Sequence, residues 1–178
     1  VEMMSRVPMG SNGGDLSDKL TDRWQIVPQG IWAEVIAEEW GLSREELDEY
    51  SLESHRRATA AIDEGRFERE IVPVELMNPH VGVLFGVDET PRRDTSSERL
   101  ATLSPAFIPD GKVTAGNSSQ ICDGAAALLI ASEDAVSRLR LEPRARFVSF
   151  GLSGVDPYRM LHGNPQACEK ALARAGLT

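Results

Sequence analysis

The 178-residue sequence carries 28 acidic against 19 basic side chains, a net charge of −9, with 41% hydrophobic and 26% charged residues. That balance belongs to an ordinary globular chain with a real core and one or two domains, and it argues against a nucleic-acid surface, which needs a concentrated basic field. No apolar run approaches the roughly 18 residues that span a bilayer, and the first residues lack the apolar stretch of a signal peptide, so the expectation is a cytoplasmic protein with no membrane partner.

In chain order, residues 11–15 are a Gly/Asn-rich loop and residues 16–24 a polar connection with room for a short helical turn. Residues 29–40 place Trp32, Val35, Ile36 and Trp40 at helical spacing, with Glu34, Glu38 and Glu39 on the other face and Gly41 as the stop. Ser43 with Glu46 three residues on forms a capping box, and Leu42 is placed to staple against Leu47. The helix this opens runs to Gly65 with an expected inward face of Leu47, Tyr50, Ser54, Ala58 and Ala61. The charges at Glu45, Glu46, Asp48, Glu49, Glu53, Arg56 and Arg57 read as a solvated face with internal pairing. His55, between charged neighbours, reads as a solvated or capping side chain rather than a catalyst.

Ile71-Val72-Pro73-Val74 reads as a short edge strand, residues 81–87 as an apolar patch, residues 88–94 as a charged turn and residues 97–103 as one or two helical turns. Residues 125–132 read as a buried strand. Ser132 with Glu133 and Asp134 opens a helix to Arg140, residues 146–152 form a further strand, and Asn164-Pro165 caps a last helix ending at Gly176. Cys122 and Cys168 have no CxxC spacing, so neither a zinc site nor a disulfide framework is indicated and two buried free thiols are the expectation; no metal site is predicted.

The most informative stretch is Val-Thr-Ala-Gly-Asn-Ser-Ser-Gln-Ile-Cys-Asp-Gly-Ala over residues 113–125. Glycines, hydroxyls and small side chains build a backbone that something can lie against. With Ser104-Pro105-Ala106-Phe107 and the Asp110-Gly111 turn before it, the stretch resembles the loop of the thiolase family that lies along the pantetheine arm of coenzyme A. Ser-Arg-Glu-Glu-Leu-Asp-Glu-Tyr at 43–50, Ser-His-Arg-Arg-Ala at 54–58, Gly-Arg-Phe at 65–67 and Glu-Ile-Val-Pro-Val at 70–74 resemble, in order and spacing, phrases of the loop domain of that family.

The resemblance implies an α/β, thiolase-like fold fragment with a mixed α+β loop domain. Its implied divisions are the loop domain at 1–121, the end of the N-terminal half at 122–142 and the start of the C-terminal half at 143–178. It implies coenzyme A as substrate, acyl-CoA as the second ligand, and a homodimer or homotetramer. Residue by residue, Ser119 matches the hydroxyl that holds the pantetheine amide, and Ala115 and Gly116 let the arm pass close. By the same resemblance Phe107 and Leu103 would pack along pantetheine and adenine, Arg92 would lie near the adenosine phosphates, and Met9 would line the acyl or pantetheine end. Structural alternatives stand beside these: Phe107 as plain core, and Arg92 as a partner of Asp88 or Asp94.

Thiolase chemistry needs a nucleophilic cysteine, a base and a second thiol, and neither Cys122 nor Cys168 matches such a position, so no catalytic residue is expected in this stretch. The N-terminal Val1 to Gly10 resembles family sequence lying well past the nucleophile, which suggests an excerpt of a longer enzyme. The competing expectation is a truncated, non-catalytic thiolase-like subunit binding acyl-CoA or a protein. Pro8-Met9-Gly10 stands where short-chain biosynthetic members carry His-Met-Gly, which leans the reading toward thiolysis of a longer 3-oxoacyl-CoA from fatty-acid or sterol side-chain breakdown.

Overall fold

A computed structural model describes residues 1–8, 11, 13, 16–78 and 81–178. It divides into two compact units, one of Val1–Ile36 with Ile121–Thr178 and the other of Ala37–Gln120.

The second unit is organised on its longest helix. Two short helices precede it, α1 (Asp18–Thr21) and α2 (Gln29–Glu39), the latter running across the division between the units. Gly41 adopts φ +64°, and the amide of Leu42 donates to the Ala37 carbonyl, the left-handed exit that ends α2. The long helix α3 (Arg44–Asp63) starts on the expected capping box: the Glu46 amide donates to Ser43 Oγ at 3.1 Å, and the Ser43 amide donates to the Glu46 carboxylate at 2.8 Å. These bonds hold the Glu46 carboxyl below its ordinary pKa. Gly65, at φ +68°, follows its end.

Strands β1 (Val74–Asn78) and β2 (Val81–Phe85) pair antiparallel, Val74 opposite Phe85 and Leu76 opposite Val83. The strand expected at 71–74 therefore begins at its last residue, because Pro73 has no amide to give a ladder. Helix α4 (Ser97–Ala101) is capped by Ser96, whose hydroxyl accepts from the Arg99 amide. Bidentate pairing of Arg93 with Asp63, at 2.6 and 2.8 Å, ties the charged turn to the end of α3 and holds the Asp63 carboxyl below its usual range.

The inward face of α3 differs from the expected one. Tyr50 is 81% exposed and Ser54 is exposed, whereas Asp48 is 6% exposed. The buried side includes a carboxylate because that carboxylate has dedicated partners, described below. Glu53 behaves as a solvated charge should, pairing with Arg56 and Arg57 one turn away. On α2, Glu34 is buried, and Trp40, just past its end, is 59% exposed, both against the expected placement, while Trp32, Val35 and Ile36 are half-buried.

In the first unit, the amides of Glu2 and Gly124 each donate to the other's carbonyl, and Asp123 accepts from the Ser5 amide and hydroxyl. Helix α5 (Glu133–Leu139) is capped by Ser132 as expected. A 3₁₀ segment, Pro157–His162, capped by Asp156, runs directly into α6 (Gly163–Ala175). Asn164 is therefore inside α6 and not its cap; Pro165 still falls among the first four positions, where no intrahelical amide bond is lost.

Residues 125–132 and 146–152, expected as strands, carry no ladder among the described residues, and Leu128, Leu129, Phe147 and Leu152 are 65–86% exposed. Without a neighbouring strand the apolar sequence has nothing to pair with. Residues 149–153 are held instead by α6: Arg174 donates to the Phe150 carbonyl at 2.6 Å, Lys170 to Leu152 at 3.0 Å, and Ser149 to Ala171 at 2.5 Å. Gly151 lies so close to α6 that a Cβ there would sit 1.9 Å from the Ala167 carbonyl oxygen. Cys122 and Cys168 are both exposed, contrary to the expectation of buried thiols, since neither the uncovered stretch after Ile121 nor this side of α6 is packed over.

Candidate functional site

The loop at 113–119 is fastened to its own unit from three sides. Val113 and Thr114 are buried, Thr114 completely, and Thr114 bridges Pro105 while the Ala106 amide donates to the Val113 carbonyl at 2.9 Å. Inside the loop, the Gly116 amide donates to Thr114 Oγ1 and the Ser118 hydroxyl to the Thr114 carbonyl. Asn117 does most of the bracing: its Oδ1 accepts from the Thr114 amide at 2.8 Å, and its Nδ2 donates to the Lys112 carbonyl and to Asp48 Oδ1, both at 3.0 Å.

Asp48 is in turn paired with Arg44, Nε to Oδ2 at 2.7 Å, and the Arg44 Nη2 donates to the carbonyls of Leu100 and Leu103. One guanidinium therefore spans from α3 to the end of α4. Arg44, Asp48 and Asn117 were not singled out from sequence; the signal present was an Arg-Asp pair at i, i+4, which is ordinarily a surface feature.

This bracing brings several of the predicted residues together. Gly116 packs on α4 so tightly that a Cβ would lie 2.6 Å from both Leu100 Cδ2 and Leu103 Cδ1. Leu103, against Gly116, and Phe107 are 37% and 43% exposed, an apolar ledge before the loop, and Ala115 and Ser119 of the loop are exposed. The Ser119 hydroxyl has no hydrogen-bond partner among the described residues. Phe107 is thus not plain core.

Arg92 is exposed, its backbone amide donating to His55 Nδ1 at 3.2 Å. Its turn is joined to the end of the loop through Gln120 Nε2 donating to Thr90 Oγ1 at 3.3 Å. Asp94 pairs with Arg99, which with a smaller contribution from Arg92 holds its carboxyl below the usual range. Among the described residues Arg92 forms no ion pair with Asp88 or Asp94. Met9 lies outside the described residues. Among the described residues no group of three or more His, Cys, Asp or Glu converges, and no helix is long and apolar enough to cross a membrane.

The first unit has a separate cleft of about 480 Å³, lined by residues including Trp32, Val155, Met160 and Ala167. Trp32 Nε1 is buried there without an acceptor among the described residues.

The sequence profile of the thiolase N-terminal domain matches residues 2–134. The chain belongs to the thiolase family. Among its relatives are an acetyl-CoA acetyltransferase of Syntrophomonas wolfei, 43% identical over 93% of this chain and 43% of that one, and the mitochondrial 3-ketoacyl-CoA thiolase of Homo sapiens, 43% identical over 89% and 40%. Thiolase structures share the fold. The Bacillus anthracis acetyl-CoA acetyltransferase superposes with a TM-score of 0.81 at 36% identity, over all of this chain and 46% of that one. Human mitochondrial 3-ketoacyl-CoA thiolase in complex with CoA gives 0.80 at 43% identity, over 85% and 38%. This thiolase-family chain spans less than half the length of these relatives.

Proposed function

We propose that this chain provides the coenzyme A-binding surface of an acetyl-CoA acyltransferase. The reaction is thiolysis of a 3-oxoacyl-CoA: a cysteine thiolate attacks the C3 carbonyl, the C2–C3 bond breaks, and its electron pair takes a proton to leave acetyl-CoA. The acyl group on the cysteine then passes to the thiol of free coenzyme A; the reverse Claisen condensation uses the same groups. We assign the nucleophile and base to residues outside these 178, with the loop domain at 1–121 and the two halves meeting after 142. We assign a homodimer or homotetramer, a cytoplasmic location, and a longer acyl chain on the strength of Pro8 standing before Met9.

The observation that carries the reading is the braced loop, with Ala115 and Ser119 exposed on it and Gly116 against Leu103, which like Phe107 is part-exposed. A pantetheine arm is an extended, amide-bearing chain; small residues admit it, a hydroxyl answers an amide, and the ledge covers its methylene and methyl groups. The exposed Arg92 suits the nucleotide phosphates, and Met9 suits the acyl end. A bare truncated binding subunit is disfavoured, since relatives bearing the same segment are named as acyltransferases.

The test is to incubate the full-length protein with 3-oxoacyl-CoA and free coenzyme A and follow products by mass spectrometry. Acyl-CoA shortened by two carbons plus acetyl-CoA, formed only with both substrates present, is expected; coenzyme A binding without turnover would return the truncated-subunit reading.

A further inference from the structure

The two walls of the proposed coenzyme A site, which touch at Gly116 and Leu103, come from different places in the chain. Leu103 lies just past the end of α4, and Gly116 in the loop, and their register is set where they meet. A single charged pair on α3 touches both. The Arg44 guanidinium holds the last carbonyls of the α4 wall, Leu100 and Leu103, at 2.6 and 3.1 Å, while its partner Asp48 holds Asn117 of the loop wall at 3.0 Å. Asp48 is buried and the Arg44 side chain is 20% exposed, so these are charge-assisted bonds sheltered from water.

Simple adhesion of α3 would not require this arrangement. A buried ion pair is a poor source of net stability compared with apolar packing of the same volume, but it fixes geometry, because each of its bonds has a direction. Asn117 is the corresponding hinge pin on the loop side: one amide group satisfies the Thr114 amide, the Lys112 carbonyl and Asp48. We infer that Arg44, Asp48 and Asn117 are positioning residues that hold the Gly116 wall in register against the Leu103 wall, and so fix the shape of the joined surface and tune its affinity for the pantetheine arm of coenzyme A. This rests on the coenzyme A reading of the loop.

Two substitutions separate the ends of the relay. Asp48→Asn is isosteric and can still accept from Asn117, but it loses its charge and, with its oxygen kept on Asn117, turns an amide donor toward the Arg44 Nε donor, releasing the α4 wall. Asn117→Ala releases the loop wall. In the full-length protein, each is expected to weaken coenzyme A binding about tenfold by calorimetric titration, with KM for coenzyme A rising in step. The kcat at saturating coenzyme A is expected to stay within about twofold. The double variant should be little worse than either single, because both cut one relay. Ser132→Ala, which removes the cap of α5 in the other unit, serves as a destabilised control and should leave coenzyme A affinity unchanged.

Wild-type affinity in both variants would overturn the inference, as would a loss of kcat and affinity that merely tracks melting temperature across the variants and the control. Failure of the wild type itself to bind coenzyme A would instead overturn the functional reading and this inference together.

Discussion

Replacing Gly116 with alanine is the sharpest single perturbation of the loop. The added methyl carbon would sit 2.6 Å from Leu100 Cδ2 and 2.6 Å from Leu103 Cδ1, roughly 1 Å inside ordinary carbon contact of about 3.5–4.0 Å. The two leucines cannot respond alike. Leu100 is 4% exposed and walled in, whereas Leu103 is 37% exposed and has somewhere to go. The strain therefore falls on Leu103 and on the loop backbone, at a cost of about 1–3 kcal/mol, the usual range for overpacking by one carbon. Thermal unfolding of the full-length variant should shift down by about 1–2 °C for each kcal/mol, since the shift shrinks with chain length. A Leu103 side chain turned outward also breaks up the apolar ledge proposed for coenzyme A, so coenzyme A should bind more weakly in the same preparation. A Gly116→Ala protein with wild-type melting and wild-type affinity would refute the packing of loop on α4 from which both expectations are drawn.

Other substitutions test other parts of the structure. Gly151→Ala sets a methyl against backbone atoms of α6 that cannot swing away, so it should cost about 3 kcal/mol or more and show as a large drop in melting temperature or soluble yield. Ser119→Ala removes an exposed hydroxyl with no partner among the described residues; melting should be unchanged while titrated coenzyme A affinity falls about fivefold to tenfold. For pH, the hydrogen bonds of Arg56 and then Arg57 hold the Glu53 carboxyl down to about 2 from an ordinary 4.5. A lowered carboxylate contributes above its unfolded pKa and loses that contribution as pH falls through the folded one, so the support to α3 should vanish between about pH 4.5 and 2. Because the group is solvated, the effect is small: Glu53→Gln should differ slightly from wild type in a neutral-pH melt, and the difference should shrink in high salt.

Local chemistry was the legible part of this sequence. Ser43 with Glu46, and Ser132 before two acidic residues, cap helices in the structure as their patterns require, because a cap is satisfied within four residues. The small side chains at 113–119 marked a stretch whose backbone other groups approach closely, and Leu100 and Leu103 do lie against Gly116. What failed depends on distant partners. Residues 125–132 and 146–152 have strand composition, yet a strand exists only when another strand pairs with it, and neither has such a neighbour among the described residues. Asp48 could not be told from its solvated neighbours Glu45 and Glu49 by sequence, since its burial is made tolerable by Asn117, 69 positions away. The same blindness hid Arg44, and placed Tyr50 inside when it is outside.

The central claim is that coenzyme A lies along the 113–119 loop and the Leu103–Phe107 ledge. Hydrogen exchange measured by mass spectrometry on the full-length protein, with and without saturating coenzyme A, tests it directly. Slowed exchange concentrated in peptides covering residues 103–107 and 113–119, with little change in α5, is the predicted result. Saturable coenzyme A binding that leaves both of those peptides exchanging at their free rates would contradict it.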